Sequence, residues 1–118
     1  MVLIFLFYKN KGSYMNIIIK SNGLDALYVV ASGRLDLDSA VEYGIKIKDT
    51  IEDSNINITE LILDFSQITF ISSFGLKIIL ELYKFMKERN GTLKLKSVSE
   101  SLMNSFRMVG FNKFLVFE

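Results

Sequence analysis

Two hydroxyl groups stand side by side in Ile71-Ser72-Ser73-Phe74-Gly75, between an apolar run and a strongly helical segment. A serine in that position can do one of three things. Its oxygen can cap a helix by accepting a hydrogen bond from an unpaired N–H of the first turn. It can accept a phosphoryl group, which a helix N-terminus favours through its free N–H groups and dipole. It can act as a nucleophile, but only beside a base. The chain has no histidine and no cysteine, so neither a Ser-His pair nor a thiolate can be assembled. The same absence removes disulfides and the commonest zinc ligands. No D-x-D-x-D-G cation loop and no glycine-rich phosphate loop occurs. We therefore expect no enzyme activity, no cofactor and no metal. Cap or phosphoacceptor stays open on the residues alone.

The elements that must position these serines follow from periodicity. Asn16–Lys20 is short and β-branched, Asn22-Gly23 signals a turn, and Ala26–Ser32 reads as a second strand, so a hairpin is expected. Gly33 should end that strand, with residues 33–38 as a loop. Ser39 and Glu42 have capping-box spacing, with Asp38 as the competing cap. Beyond them Ala40, Tyr43, Gly44, Ile47 and Ile51 line one helical face. Ile58–Phe65 is nearly continuously apolar, as in an interior parallel strand covered on both sides or nearly so. A helix from about Ser73 to Asn90 follows, with Gly91 as its C-cap glycine. Thr92–Lys96 alternates as a half-exposed strand, Ser97 and Glu100 suggest a further capping box, a helix runs to about Val109, and Phe114–Phe117 closes the chain as a strand.

This order, β-β-α-β-α-β-α-β, predicts one α/β domain. Its sheet should be mixed, mainly parallel and four- to five-stranded, with helices mainly on one face. The 118 residues suffice for one core. With 14 basic against 13 acidic residues the chain lacks the basic excess that a nucleic-acid backbone requires. The apolar run Val2–Tyr8 is far shorter than the roughly 20 residues of a membrane span, so no membrane insertion is expected. Residues 1–15 read as an N-terminal extension, either an added edge strand or a stretch upstream of a natural start at Met15. We prefer the second because the domain pattern begins only at Asn16, and we take 16–118 as the domain.

The stretch Leu63-Asp64-Phe65-Ser66, followed by Ile68 through Leu76, resembles the signature of the STAS domain family, specifically the bacterial anti-sigma-factor antagonists. That signature runs from a strand ending L-D-[LF]-S through D-S-[ST]-G to a helix. Gly33-Arg34-Leu35-Asp36 is similar to the family's G-E-[LI]-D, and Phe106 to Phe111 to its F-x-x-x-G-[LF]. The resemblance covers roughly Asn16 to Glu118. It implies a cytoplasmic regulator of transcription that binds an anti-sigma factor, itself a serine kinase. Phosphorylation of the serine at the position of Ser73 then breaks the complex. The alternative it implies is a STAS interaction or scaffold subunit of a transporter or sensory complex, with no phosphate switch.

The chain departs from the pattern at Ser72 (Asp in the family), Phe74 (Ser or Thr), Lys77 (usually Gly) and Arg34 (commonly Glu). Ser72 is accordingly a second candidate acceptor or a cap. The implied partner surface comprises Gly33, Asp36, Ser72, Ser73, Phe74, Gly75, Lys77 and Ile78. On the helix after the serines, Leu76, Ile79, Leu80, Tyr83 and Met86 form one apolar stripe, enough to cover a sheet. Phe74, Ile78, Leu82 and Phe85 form a second. Leu82 and Phe85 should pack on a neighbouring helix, and Phe74 should stay exposed as an apolar anchor beside Ser73.

Overall fold

A computed structural model describes the backbone of residues 4–8 and the whole of residues 15–118. The strands are β1 (Ile4–Tyr8), β2 (Met15–Ser21), β3 (Ala26–Leu35), β4 (Glu60–Ile71), β5 (Thr92–Lys96) and β6 (Val116–Phe117). The helices are α1 (Leu37–Asp53), α2 (Ser73–Glu88) and α3 (Glu100–Met108), with a short 3-10 turn at Phe111–Lys113. The expected order is present, preceded by β1, which pairs antiparallel with β2 and brings the sheet to six strands. The rest of the N-terminal extension, residues 1–3 and 9–14, lies outside the described residues, and with it the choice between Met1 and Met15 as the start.

The strands lie side by side in sequence order, β1 to β6. β2 pairs antiparallel with β3, and β3–β4, β4–β5 and β5–β6 are parallel. Each parallel step crosses through one helix and advances in the same direction. Crossovers of one hand therefore drop all three helices on one face. Ile17, Ile19, Val29, Ala31, Leu61, Leu63, Phe65, Leu93 and Leu95 bury their side chains under those helices. The opposite face carries exposed Tyr28 and half-buried Val30 and Asp64, so β4 is not covered on both sides as expected. Ile62 is buried there nonetheless. Lys94 bridges Glu60 at 3.0 Å and Glu118 at 3.6 Å on this side, and the bond to Glu60 raises its pKa.

Four boundaries differ from expectation for local reasons. β3 continues through Gly33, whose φ of 119° only glycine adopts easily, and the register against β4 shifts there. α1 begins at Leu37 with Asp36 as N-cap, three residues before the expected serine. Ser39 is instead the third helical residue, its hydroxyl accepting from the Asp36 N–H at 2.9 Å and donating to the Arg34 carbonyl. At the end of α2 it is Asn90, φ 58°, that takes the left-handed position. Asn90 N–H bonds Lys87 O at 3.0 Å and Gly91 N–H bonds Met86 O at 2.7 Å, a Schellman pair. Gly91 is needed for space, since a Cβ would lie 2.8 Å from Met86 Cε and from Thr59 O. Ser99, rather than Ser97, caps α3 by accepting from Leu102 N–H at 3.2 Å.

The predicted face of α1 is buried throughout: Ala40, Tyr43, Gly44, Ile47 and Ile51. On α2 the buried line is Gly75, Leu76, Ile79, Leu82 and Met86, which falls between the two expected stripes. Leu82 thus belongs to the centre of the core. Leu80 and Tyr83 sit at its margin, Tyr83 meeting Phe114 at a tilt of 54° with centroids 5.0 Å apart.

Tyr43 is fully buried and its hydroxyl has no hydrogen-bond partner among the described residues. Burial, with a smaller contribution from the charge of Asp64, pushes its pKa far above the ordinary 10.0. An unmade bond at a buried hydroxyl costs about 1–3 kcal/mol. Tyr43→Phe should therefore raise the melting temperature by a few degrees. Because the folded pKa is raised, the stability that neutral Tyr43 contributes is complete below pH 10.0 and is lost as pH rises above it. The variant's unfolding midpoint should fall less steeply above that pH than the wild type's. Calorimetric melts across the alkaline range check both, and a variant less stable than the wild type would show that the hydroxyl is satisfied.

Candidate functional site

The two sequence segments singled out above meet at the carboxyl ends of neighbouring parallel strands. Leu35, the last residue of β3, pairs with Ile71, the last of β4. Chain ends gathered at such an edge are where open α/β sheets place their sites. Two contacts fasten them together. Ser72 N–H donates to Leu35 O at 2.8 Å, and Gly75 packs so closely that a Cβ would stand 2.7 Å from Leu35 O and 2.6 Å from Ile71 Cγ1. Gly75 is buried, so its part in the site is to allow this approach.

The division of labour between the serines is visible in their hydrogen bonds. Ser72 is the N-cap of α2, its hydroxyl accepting from Gly75 N–H at 3.2 Å. Ser73, the first helical residue, is exposed, and its hydroxyl has no hydrogen bond among the described residues. One serine is occupied by the helix and the other is left to solvent.

Around them, Phe74 is 48% exposed, as expected, and Lys77 is exposed with no ion pair among the described residues. Ile78 is half-buried against Gly44 of α1. Gly33 and Asp36 sit on the adjoining exit of β3. Asp36 is half-buried, caps α1 and pairs with Arg34 at 3.8 Å. All eight expected residues therefore belong to one edge of the domain.

Sequence reasoning missed two features of it. Arg34 lies over the ring of the exposed Phe70, 4.1 Å from its centroid. Leu37, Val41 and Ile45 are exposed along the outside of α1. Their four-residue spacing, offset from the buried face, was a readable signal. No helix among the described residues is long and apolar enough to cross a membrane. No group of three acidic residues among them could hold a metal ion.

The model of the STAS domain matches residues 16–118. The chain belongs to the STAS domain family. An anti-sigma factor antagonist from Mycobacterium paratuberculosis superimposes with a TM-score of 0.67 at 20% identity, over 98% of this chain and 85% of that one. The Bacillus cell fate determinant SpoIIAA in its phosphorylated form gives 0.67 at 18%, over 86% and 90%. A sulfate transporter family protein from Wolinella succinogenes gives 0.62 at 18%, over 82% and 78%. The fold is thus shared by antagonists and transporter-family proteins alike.

The geometry separates cap from free hydroxyl, and stability measurements should do the same. Ser72→Ala should cost about 1 kcal/mol by removing the cap, whereas Ser73→Ala should stay within about 0.5 kcal/mol as a surface change. Gly75→Ala should cost more than either, because the atoms in its way include a backbone carbonyl. Urea midpoints at constant slope decide the order.

Proposed function

We propose that this STAS domain is a cytoplasmic anti-sigma-factor antagonist that binds a serine-kinase anti-sigma factor through the edge carrying Ser73 and is switched off by phosphorylation of Ser73. The observation that carries this reading is the exposed Ser73 hydroxyl, without a hydrogen bond among the described residues, beside a capping Ser72. A phosphoacceptor must be reachable by a kinase and must not be needed by the fold, and Ser73 meets both conditions. The fold likeness to anti-sigma factor antagonists, one of them in a phosphorylated form, supports the same reading. A phosphate brings a charge of about −1.5 to −2 into the centre of a surface selected to fit without it.

The likeness to a sulfate transporter family protein supports a second reading, a STAS subunit of a transporter or sensory complex without a phosphate switch. Incubation with the cognate kinase and ATP, followed by mass-spectrometric mapping, separates the two. Phosphate on Ser73 supports the antagonist, and an unmodified protein supports the subunit.

Ser73→Ala should bind the kinase and resist inactivation, and Ser73→Asp should bind weakly. Equal affinity of the wild type and both variants excludes the switch. Phe74→Ala should lower affinity severalfold or more, since apolar anchors at interface centres often contribute about 2 kcal/mol, while barely moving the unfolding midpoint. Asp36→Ala should lose stability as a cap. Reduced affinity of its folded fraction would place Asp36 on the partner surface as well.

A further inference from the structure

The helical surface that the core does not use begins next to Ser73. Leu37, Val41 and Ile45 of α1 are 49%, 44% and 51% exposed, on one stripe about 12 Å long at 1.5 Å per residue. Phe74 and Ile78 of α2 form the facing wall, and Gly44 forms the floor, where a Cβ would come within 3.0 Å of Ile78 Cγ2. Between them lies an apolar groove of about 320 Å³. Its far end is closed by the Lys48–Glu81 pair at 4.0 Å. Contiguous apolar surface of this kind on a small domain marks a contact site.

The rims of the groove differ in charge. On the α2 side stands Lys77, exposed and without an ion pair among the described residues. On the outer side of α1, Asp38 and Asp49 are exposed and likewise unpaired. We propose that the groove receives an amphipathic helical segment of the same kinase partner. That segment is apolar toward Val41 and Ile45, acidic on the flank over Lys77 and basic on the flank over α1. This is the helix-in-groove mode of recognition, and it rests on the antagonist reading above. It also gives the switch a second route. Ser73 and Lys77 are four residues apart on one helix, so their side chains are neighbours. A phosphate on Ser73 would pair with Lys77, taking it from the partner's acidic residue, and would repel that residue from the groove's mouth.

The test is calorimetric titration of the purified serine-kinase anti-sigma factor into the wild type, Val41→Glu, Ile45→Glu, Lys77→Glu and Ser73→Asp, with each variant's fold checked by circular dichroism. Val41→Ser and Ile45→Ser replace any glutamate variant that fails to fold. Each groove variant should bind at least tenfold more weakly than the wild type. Groove variants that bind like the wild type, while Ser73→Asp binds weakly, would overturn the groove and leave the antagonist reading standing. Weak groove variants with an unaffected Ser73→Asp would retain the groove and remove the switch. A wild type that does not bind the kinase would overturn both.

Discussion

The carbonyl of Leu35 is the point on which the functional edge depends. It ends β3, accepts the N–H of Ser72 at 2.8 Å, and leaves no room for a side chain at position 75. One oxygen thereby fixes where α2 starts relative to where α1 starts. The consequence reaches Ser73 directly. With Ser72 bonded through both its backbone and its hydroxyl, the next residue must turn outward as the first of the helix. The close approach of the two helices at Gly44 and Ile78 follows from the same common origin.

That local tie works because the sheet is built one strand at a time in a single direction. Parallel neighbours bring like ends together, so the exits of β3 and β4 fall on one edge without any long loop. The price of this topology is a face without helices. It is blunted by polar groups, with Asp64 accepting from Ser66 N–H and Lys94 held between two carboxylates. The α1–α2 face has no such polar cover along Leu37, Val41 and Ile45. Two surfaces of one small domain thus treat exposed strand and exposed helix differently, and only the second gathers apolar side chains beside the free serine.

Most of this was legible in the sequence because periodicity reports burial. The α1 face from Ala40 to Ile51 emerged as read, and so did the order of elements and the exposure of Phe74. The errors cluster where a backbone group rather than a side-chain pattern decides. In the sequence Gly33 reads as a stop, yet a glycine at φ 119° can carry a strand through a bulge. Spacing favours Ser39 over Asp36 as the cap, yet Asp36 holds that position and Ser39 is the third helical residue. That hydroxyl satisfies the Arg34 carbonyl and the Asp36 N–H instead, one turn earlier. On α2 the assignment of stripes erred by part of a turn, since large side chains such as Tyr83 can reach an aromatic partner from the margin of the buried face. The open stripe on α1 is masked for the opposite reason, because the stronger repeat of the buried face dominates the pattern, although Leu37, Val41 and Ile45 repeat every four residues.

Where the chain departs from the family pattern, magnitudes indicate how a phosphate on Ser73 would act. Serine at position 72 preserves the cap but removes a carboxylate that would have stood next to the acceptor. A phosphate there would meet a helix N-terminus, favourable by about 0.3–1 kcal/mol for an exposed anion, and, one turn on, Lys77, which has no ion pair among the described residues. The isolated domain therefore has no electrostatic reason to unfold or rearrange when modified. Opposing like charges across a docked interface cost several kcal/mol, well beyond the gain at the helix end. Under the proposed switch the free energy of phosphorylation is thus expressed almost wholly in the complex. The domain then needs no second conformation to be turned off, which fits an acceptor placed on the first residue of a rigidly seated helix rather than on a loop.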